Sequence, residues 1–246
     1  MQPFFAPVAS LLPQTVMADF THQLLDRDYL FQTYIRGTPW SDLHDRLTTE
    51  QQTALYRQLG TITRQIHAVT GQAFGAGGGS FRTWSEAIIN ALERVVAMLE
   101  QYQLDSGDVR AVLAIAQTHA HILDAITQPH LLHGDLWHQN VLVDWISDAP
   151  QIVGVLDTGF ASWGEPPYDW TLIRLSLSPP AESASFWDTY GPLDPSADAQ
   201  FRTRIYQARS LGVSLVETLR LQQIEGHTWV RGKLHEITAR LRTMYG

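Results

Sequence analysis

The chain has 246 residues, enough to bury a substantial core as one large domain or two lobes. It contains no cysteine, and it has one lysine against sixteen arginines with a net charge of −8. Disulfides, thiol nucleophiles and thiolate metal sites are excluded, and the positive footprint that nucleic-acid phosphates demand is missing. No apolar run reaches the roughly 18 residues of a membrane span, and the start lacks a basic signal-peptide region. A cytoplasmic protein that engages neither nucleic acid nor membrane is expected.

Met1 to Gly37 reads as β structure, with Phe20–Leu25 and Tyr29–Ile35 flanking the short polar turn Asp26-Arg27-Asp28, a hairpin pattern that Gly37 ends. Helices follow. Leu55, Leu59, Ile62, Ile66 and Val69 recur at helical spacing on one face, with His67 at its end as a capping or packing residue. Gly71 to Ser80 is glycine-rich without phosphate-loop spacing to a lysine, and reads as a flexible connector. Phe81–Gln101 and Asp108–Thr127 are expected helices, the latter capped by Asp105 or Ser106. Val141–Val143 and Ile152–Leu156 read as two strands about an Asp-rich turn. Tyr168–Leu177, Ala197–Gln223 and His227–Met244 complete the helical set.

The informative stretch is His133-Gly134-Asp135-Leu136-Trp137-His138-Gln139-Asn140, with Asp157 seventeen residues beyond Asn140. A β excursion between Asn140 and Asp157 brings an Asp, an Asn and a second Asp to one end of a hairpin. One carboxylate there can orient a hydroxyl, and a carboxamide plus a carboxylate can hold Mg²⁺ between ATP phosphates. Taken singly, Asp135 and Asp157 read equally well as turn residues. His130, His133 and His138 suggest zinc, yet no Glu stands at helix-compatible spacing. His119 and His121, two apart, should face different sides of their helix. Trp163, Trp170 and Trp187 read as packing residues.

His133-Gly134-Asp135-Leu136-Trp137 with Asn140, then Val155-Leu156-Asp157, then Gly164-Glu165-Pro166-Pro167-Tyr168-Asp169, resembles the aminoglycoside phosphotransferase family of protein-kinase-like small-molecule kinases. Trp137 after Leu136 is most similar to its fructosamine and ketosamine kinase branch, from which His138-Gln139 departs. The resemblance implies an α+β protein-kinase-like fold: residues 1–37 a remnant of the N-terminal lobe with the hinge, and 38–246 a mostly helical C-terminal lobe. It implies Asp135 as the catalytic carboxylate, Asn140 and Asp157 as Mg²⁺ ligands, and His133 and Asp169 as supports of the loop. Leu142 and Leu156 would floor the ATP pocket, with backbone bonds from Gln32, Thr33, Tyr34 and Ile35. The acceptor would be a hydroxyl of a small, amine-bearing molecule, for which Glu165, Glu182, Glu217 and Glu225 are acidic candidates; solvated surface glutamate is the plainer reading of each.

Kinases of this fold carry a phosphate-clamping lysine on an early strand, paired to a helix glutamate. Here the only lysine is Lys233 and the first glutamate is Glu50. Arg27 and Arg36 are the alternatives near the hinge. An N-terminally truncated reading, an impaired enzyme or a non-catalytic binding protein each accommodate that gap. A hairpin without neighbouring strands is expected to pair with a second copy through its edge.

Overall fold

The computed structural model describes residues 2–76, 80–178 and 180–246, with the side chains of residues 2, 44 and 180–182 left aside. In chain order its strands and helices are β1 Thr15–Asp19, β2 Tyr29–Gln32, β3 Thr38–Pro39, α1 Thr49–His67, β4 Gly75–Ala76, α2 Trp84–Gln101, α3 Gly107–Thr118, α4 Ala120–Asp124, β5 His130–Leu132, β6 Val141–Ile146, β7 Ala149–Val155, β8 Ser162–Gly164, α5 Trp170–Leu177, α6 Pro180–Tyr190, α7 Ala197–Arg220 and α8 Ile224–Tyr245. No helix among the described residues is long and apolar enough to cross a membrane. The chain divides into two compact units, each assembled from three separate stretches.

The first unit comprises residues 1–69, 133–161 and 178–192. Its first ten described residues form a 3₁₀ segment, Gln2–Leu11, where β structure was expected. β1 and β2 do make an antiparallel hairpin, but its first strand lies at Thr15–Asp19, and Phe20–Asp28 is its loop. The local reason is Asp19: its carboxylate accepts from the Thr21 amide and hydroxyl and from Tyr29 Oη, which ends the strand early. Downstream, β3, β6 and β7 form a three-stranded antiparallel sheet.

α1 starts where the chain supplies a capping box, Thr48 and Gln51 satisfying each other's amides. The predicted stripe is realised: Leu55, Leu59, Ile62 and Ile66 are buried. α6, which carried no clear periodicity, packs on α1. There Arg57 pairs with Asp188 at 3.0 Å, Thr189 donates to the Arg57 carbonyl, and His67 meets Tyr190 Oη at 2.9 Å.

The second unit comprises residues 70–132, 162–177 and 193–246. Its core joins α2, α3, α7 and α8 through Ile88, Leu92, Val109, Leu211, Leu215 and Leu234. Thr83 and Glu86 cap α2 reciprocally. Before α3 it is Asp105 that accepts the Gly107 amide, while the Ser106 hydroxyl turns to Glu100. The helix expected through Thr127 breaks at His119 and resumes as α4, so His119 and His121 come together with ring centroids 6.0 Å apart. The connector bends back through a Phe74–Phe81 bridge, and β4, β8 and β5 make a small sheet that no pattern announced. Residues 77–79 of the connector lie outside the described residues. Trp163 is buried, and Trp187 of the first unit packs edge-on to Phe186 and Tyr190, as packing residues do.

Candidate active site

The β6–β7 hairpin fixes the site. Its ladder runs from Ile146–Ala149 at the turn to Val141–Val155 at the far end. Ser147 and Asp148 both have positive φ, the two-residue turn whose twist suits a tight hairpin. One residue past the last rung, the Leu156 amide donates to the Asn140 carbonyl at 2.8 Å. Asn140 and the Leu156–Asp157 segment therefore sit side by side at one end of the hairpin.

Asn140 also reaches across the loop. Its Nδ2 donates to the carbonyl of Asp135 and to Asp135 Oδ2, at 2.8 Å each. With the nitrogen engaged, the carboxamide oxygen is the atom left to face away from Asp135. The loop is closed further by the Asn140 amide on the Trp137 carbonyl and by the Asp135 amide on His133 Nδ1 at 3.3 Å. His133 is fully buried, edge-on to Phe5.

Gly134 holds φ of +83°, and a Cβ there would fall 2.2 Å from the Phe160 carbonyl oxygen. Only glycine lets the Asp135 loop lie against the segment that follows Asp157. Asp157 itself is a left-handed residue, φ 60° and ψ 61°, and its carboxylate is exposed beside the Gly159 amide. Asp and Asn tolerate this conformation better than other side chains.

Below this end of the hairpin, Leu142 is buried and Leu156 half-buried. A Cβ at Gly154 would lie 3.0 Å from Ile35 Cγ2 and 3.1 Å from Leu142 Cδ1, so Ile35 and Leu142 close over Gly154. Leu142, one of the two expected floor residues, and Ile35, one expected hinge residue, are brought together. Thr33 is not left open for a base: its amide donates to the Gln14 carbonyl, and Gln32 is paired with Thr15 in the hairpin ladder. Of the expected hinge residues, Tyr34 is 86% exposed.

Sequence reasoning missed the brace on the other side of the loop. Trp40, wholly buried, lies 4.2 Å from the His138 ring and 5.0 Å from Tyr56, and the Ser41 amide donates to the His138 carbonyl. Pro39-Trp40 carries no motif, and an aromatic after proline reads only as generic core.

In the second unit, Asp169 is buried; its backbone and side chain accept from Ile173 and Thr171 at the start of α5, which therefore begins at Trp170 after a 3₁₀ turn. Glu165 corrects the expectation of a solvated acid or an ammonium site. It is 7% exposed, held by both its oxygens on Arg202 Nε at 3.1 and 3.0 Å, and it accepts from Tyr206, which itself accepts from Trp84 Nε1. Glu217 and Glu225 are exposed; the Glu182 side chain lies outside the described residues. Burial of part of its carboxyl raises the Glu217 pKa, opposed by Arg209 and Arg220.

No group of three or more His, Cys, Asp or Glu that could hold a metal occurs among the described residues. The donor set at the hairpin end is instead one carboxamide oxygen and one carboxylate. Such a set matches a Mg²⁺ ion that takes one or two protein oxygens and completes its shell with phosphates and water.

A model of the phosphotransferase enzyme family matches residues 4–203. Among solved structures, the apo form of a thermostable mutant of aminoglycoside phosphotransferase APH(4)-Ia is similar at TM-score 0.69 and 19% identity, over 97% of this chain and 83% of that one. A ternary complex of the same enzyme with AMP-PNP and hygromycin B gives TM-score 0.67 and 22% identity, over 92% and 76%. The GDP complex of wild-type aminoglycoside 2'-phosphotransferase-IIIa gives 0.62 and 17%, over 97% and 80%. At these identities the likeness establishes the α+β, protein-kinase-like fold. No match is found among curated protein sequences.

Proposed function

The chain belongs to the phosphotransferase enzyme family, and on that premise we propose that it transfers the γ-phosphoryl group of ATP, with Mg²⁺, to a hydroxyl of a small, amine-bearing acceptor. The observation that carries this reading is the pair of hydrogen bonds from Asn140 Nδ2 to Asp135, made at the same hairpin end as Asp157.

Asn140 holds the Asp135 carboxylate through Oδ2, and that carboxylate would accept the acceptor's hydroxyl proton. Its role would be to aim the acceptor oxygen and take the proton as the new O–P bond forms. The bond from the γ-phosphorus to its bridging oxygen breaks in the same step, and ADP leaves. Asn140 Oδ1 and the Asp157 carboxylate would hold Mg²⁺, which neutralises charge between the phosphates when bound. His133 and Gly134 set the Asp135 backbone, and Asp169 supports the start of α5. Leu142 and Leu156 with Ile35 would take the purine, with Tyr34 and Ile35 supplying backbone bonds. The similar enzymes that carry hygromycin B in their complexes make aminoglycosides the first acceptors to try.

A second reading, a fold that binds nucleotide without turnover, draws on one observation. The single lysine, Lys233, is paired with Glu236 within α8 at 2.9 Å, as a surface helix pair. A lysine so placed clamps no phosphate, and a site without that preorganised charge would lose about 10²–10³ in kcat. The two readings separate in one assay: ADP release with ATP, Mg²⁺ and a panel of aminoglycosides, ketosamines, choline and homoserine. Acceptor-dependent release that vanishes in Asp135→Asn supports transfer. Mg²⁺-dependent nucleotide binding without release supports the second reading.

A further inference from the structure

β1 and β2 form a sheet of their own, and no third strand joins them among the described residues. Their hairpin is apolar where it meets water: Val16 and Phe20 are 69% exposed, Leu24 79% and Phe31 56%, with Met17 and Leu30 near half. An isolated two-stranded hairpin is marginal in water, and an open apolar edge is a template for another strand. The two edges differ. β1 carries a register shift between Thr15 and Met17, an irregularity that spoils strand addition, whereas β2 runs regularly from Tyr29 to Phe31.

We propose that β2 pairs antiparallel with β2 of a second copy of this chain about a twofold axis at Phe31, giving the four-stranded sheet β1–β2–β2–β1. A twofold normal to an antiparallel pair must pass through one residue and its own copy, because hydrogen-bonded and non-bonded pairs alternate along the ladder. Placed at Phe31, it sets ring against ring, the kind of cross-strand pair that stabilises sheets. The same register directs Asp26 and Asp28, on the exposed loop, toward Arg36 of the partner subunit, which is also exposed. The side chains on and just past β2 that would meet the partner, Leu30, Phe31 and Tyr34, are each at least half exposed in the single chain. Isologous pairing consumes the regular edge of both copies, so assembly closes at two chains.

The test is sedimentation of the full chain from about 1 to 100 μM, read as molar mass against the 27.7 kDa of one chain. A reversible doubling of mass is expected, abolished in Phe31→Lys with the far-ultraviolet circular dichroism unchanged. A monomer throughout, open-ended aggregates, or a dimer that persists in Phe31→Lys overturns the pairing. So does a dimer lost instead in Leu221→Lys, which alters an exposed apolar residue at the end of α7. Should Phe31→Lys not fold, Ala18→Cys in this cysteine-free chain takes a spin label. Pairing then requires one dipolar distance within roughly 25 Å, since the labelled strands lie three strand spacings apart; no such distance overturns it.

Discussion

Asn140 and Asp135 are joined twice by one nitrogen, the carboxamide Nδ2 lying 2.8 Å from both the carbonyl and a carboxylate oxygen of the aspartate. The spacing of five residues is what allows a side chain to close its own loop in this way, and it turns the Asn140 carboxamide oxygen away from Asp135. If the proposed transfer is right, this contact orients the base and a metal ligand together.

Asn140→Ala is therefore expected to lower kcat for acceptor-dependent ADP release by about 10²–10³, with a much smaller effect on folding. Asn140→Asp is the sharper variant. It restores an oxygen ligand but places a second carboxylate against Asp135 in place of a donor, so one of the two is driven toward its protonated form. Steady-state rates for both variants decide the matter; wild-type turnover in Asn140→Asp would remove the orienting role.

Gly134→Ala should destabilise the fold by about 2–4 kcal/mol, from left-handed strain added to overpacking. The methyl would stand 2.2 Å from the Phe160 carbonyl oxygen, a backbone atom that cannot swing aside. Urea denaturation measures it. A midpoint unchanged from wild type would mean that the loop does not lie against residues 158–160.

The buried Glu165–Arg202 pair predicts an asymmetric mutant series. Arg202→Met leaves a carboxylate buried without its cation and should cost about 3–5 kcal/mol. Adding Glu165→Leu removes the orphaned charge, and the double variant is expected to recover part of that loss. Equal destabilisation by the single and double variants in urea melts would contradict this coupling.

Tyr206 gives the same cluster a pH signature. Burial, and then the Glu165 carboxylate, hold its phenol well above the ordinary tyrosine range. The folded chain thus keeps a proton that the unfolded chain releases near pH 10, so the contribution is full below that pH and is lost as pH rises further. Tyr206→Phe should flatten the fall in urea midpoint between about pH 9 and 11, while costing about 1–3 kcal/mol at pH 7 through the bonds to Trp84 and Glu165. An unchanged alkaline slope in the variant would locate that titration elsewhere.

Much of the candidate site was legible in order and spacing. Asp135, Asn140 and Asp157 could be paired in advance because two apolar runs on either side of an Asp-rich turn make a hairpin, and a hairpin returns its ends to one place. α1 was equally legible, since a four-three-four-three stripe buries itself only as a helix. The three-stranded sheet of β4, β8 and β5 was not, because strands of two or three residues are too short to show alternation. The hairpin loop was misplaced because Asp19 ends β1 through local side-chain bonds that outweigh the apolar run after it.

Residue order alone was enough for the β6–β7 hairpin, the helical stripe and the lack of cysteine, since each rests on local patterning or on residue type. The fate of Glu165 needed the folded chain. A glutamate between glycine and proline looks solvated until Arg202, thirty-seven residues away, is brought against it, because a buried charge is tolerable only where a partner offsets its lost hydration, and partners that far along the chain meet only through packing.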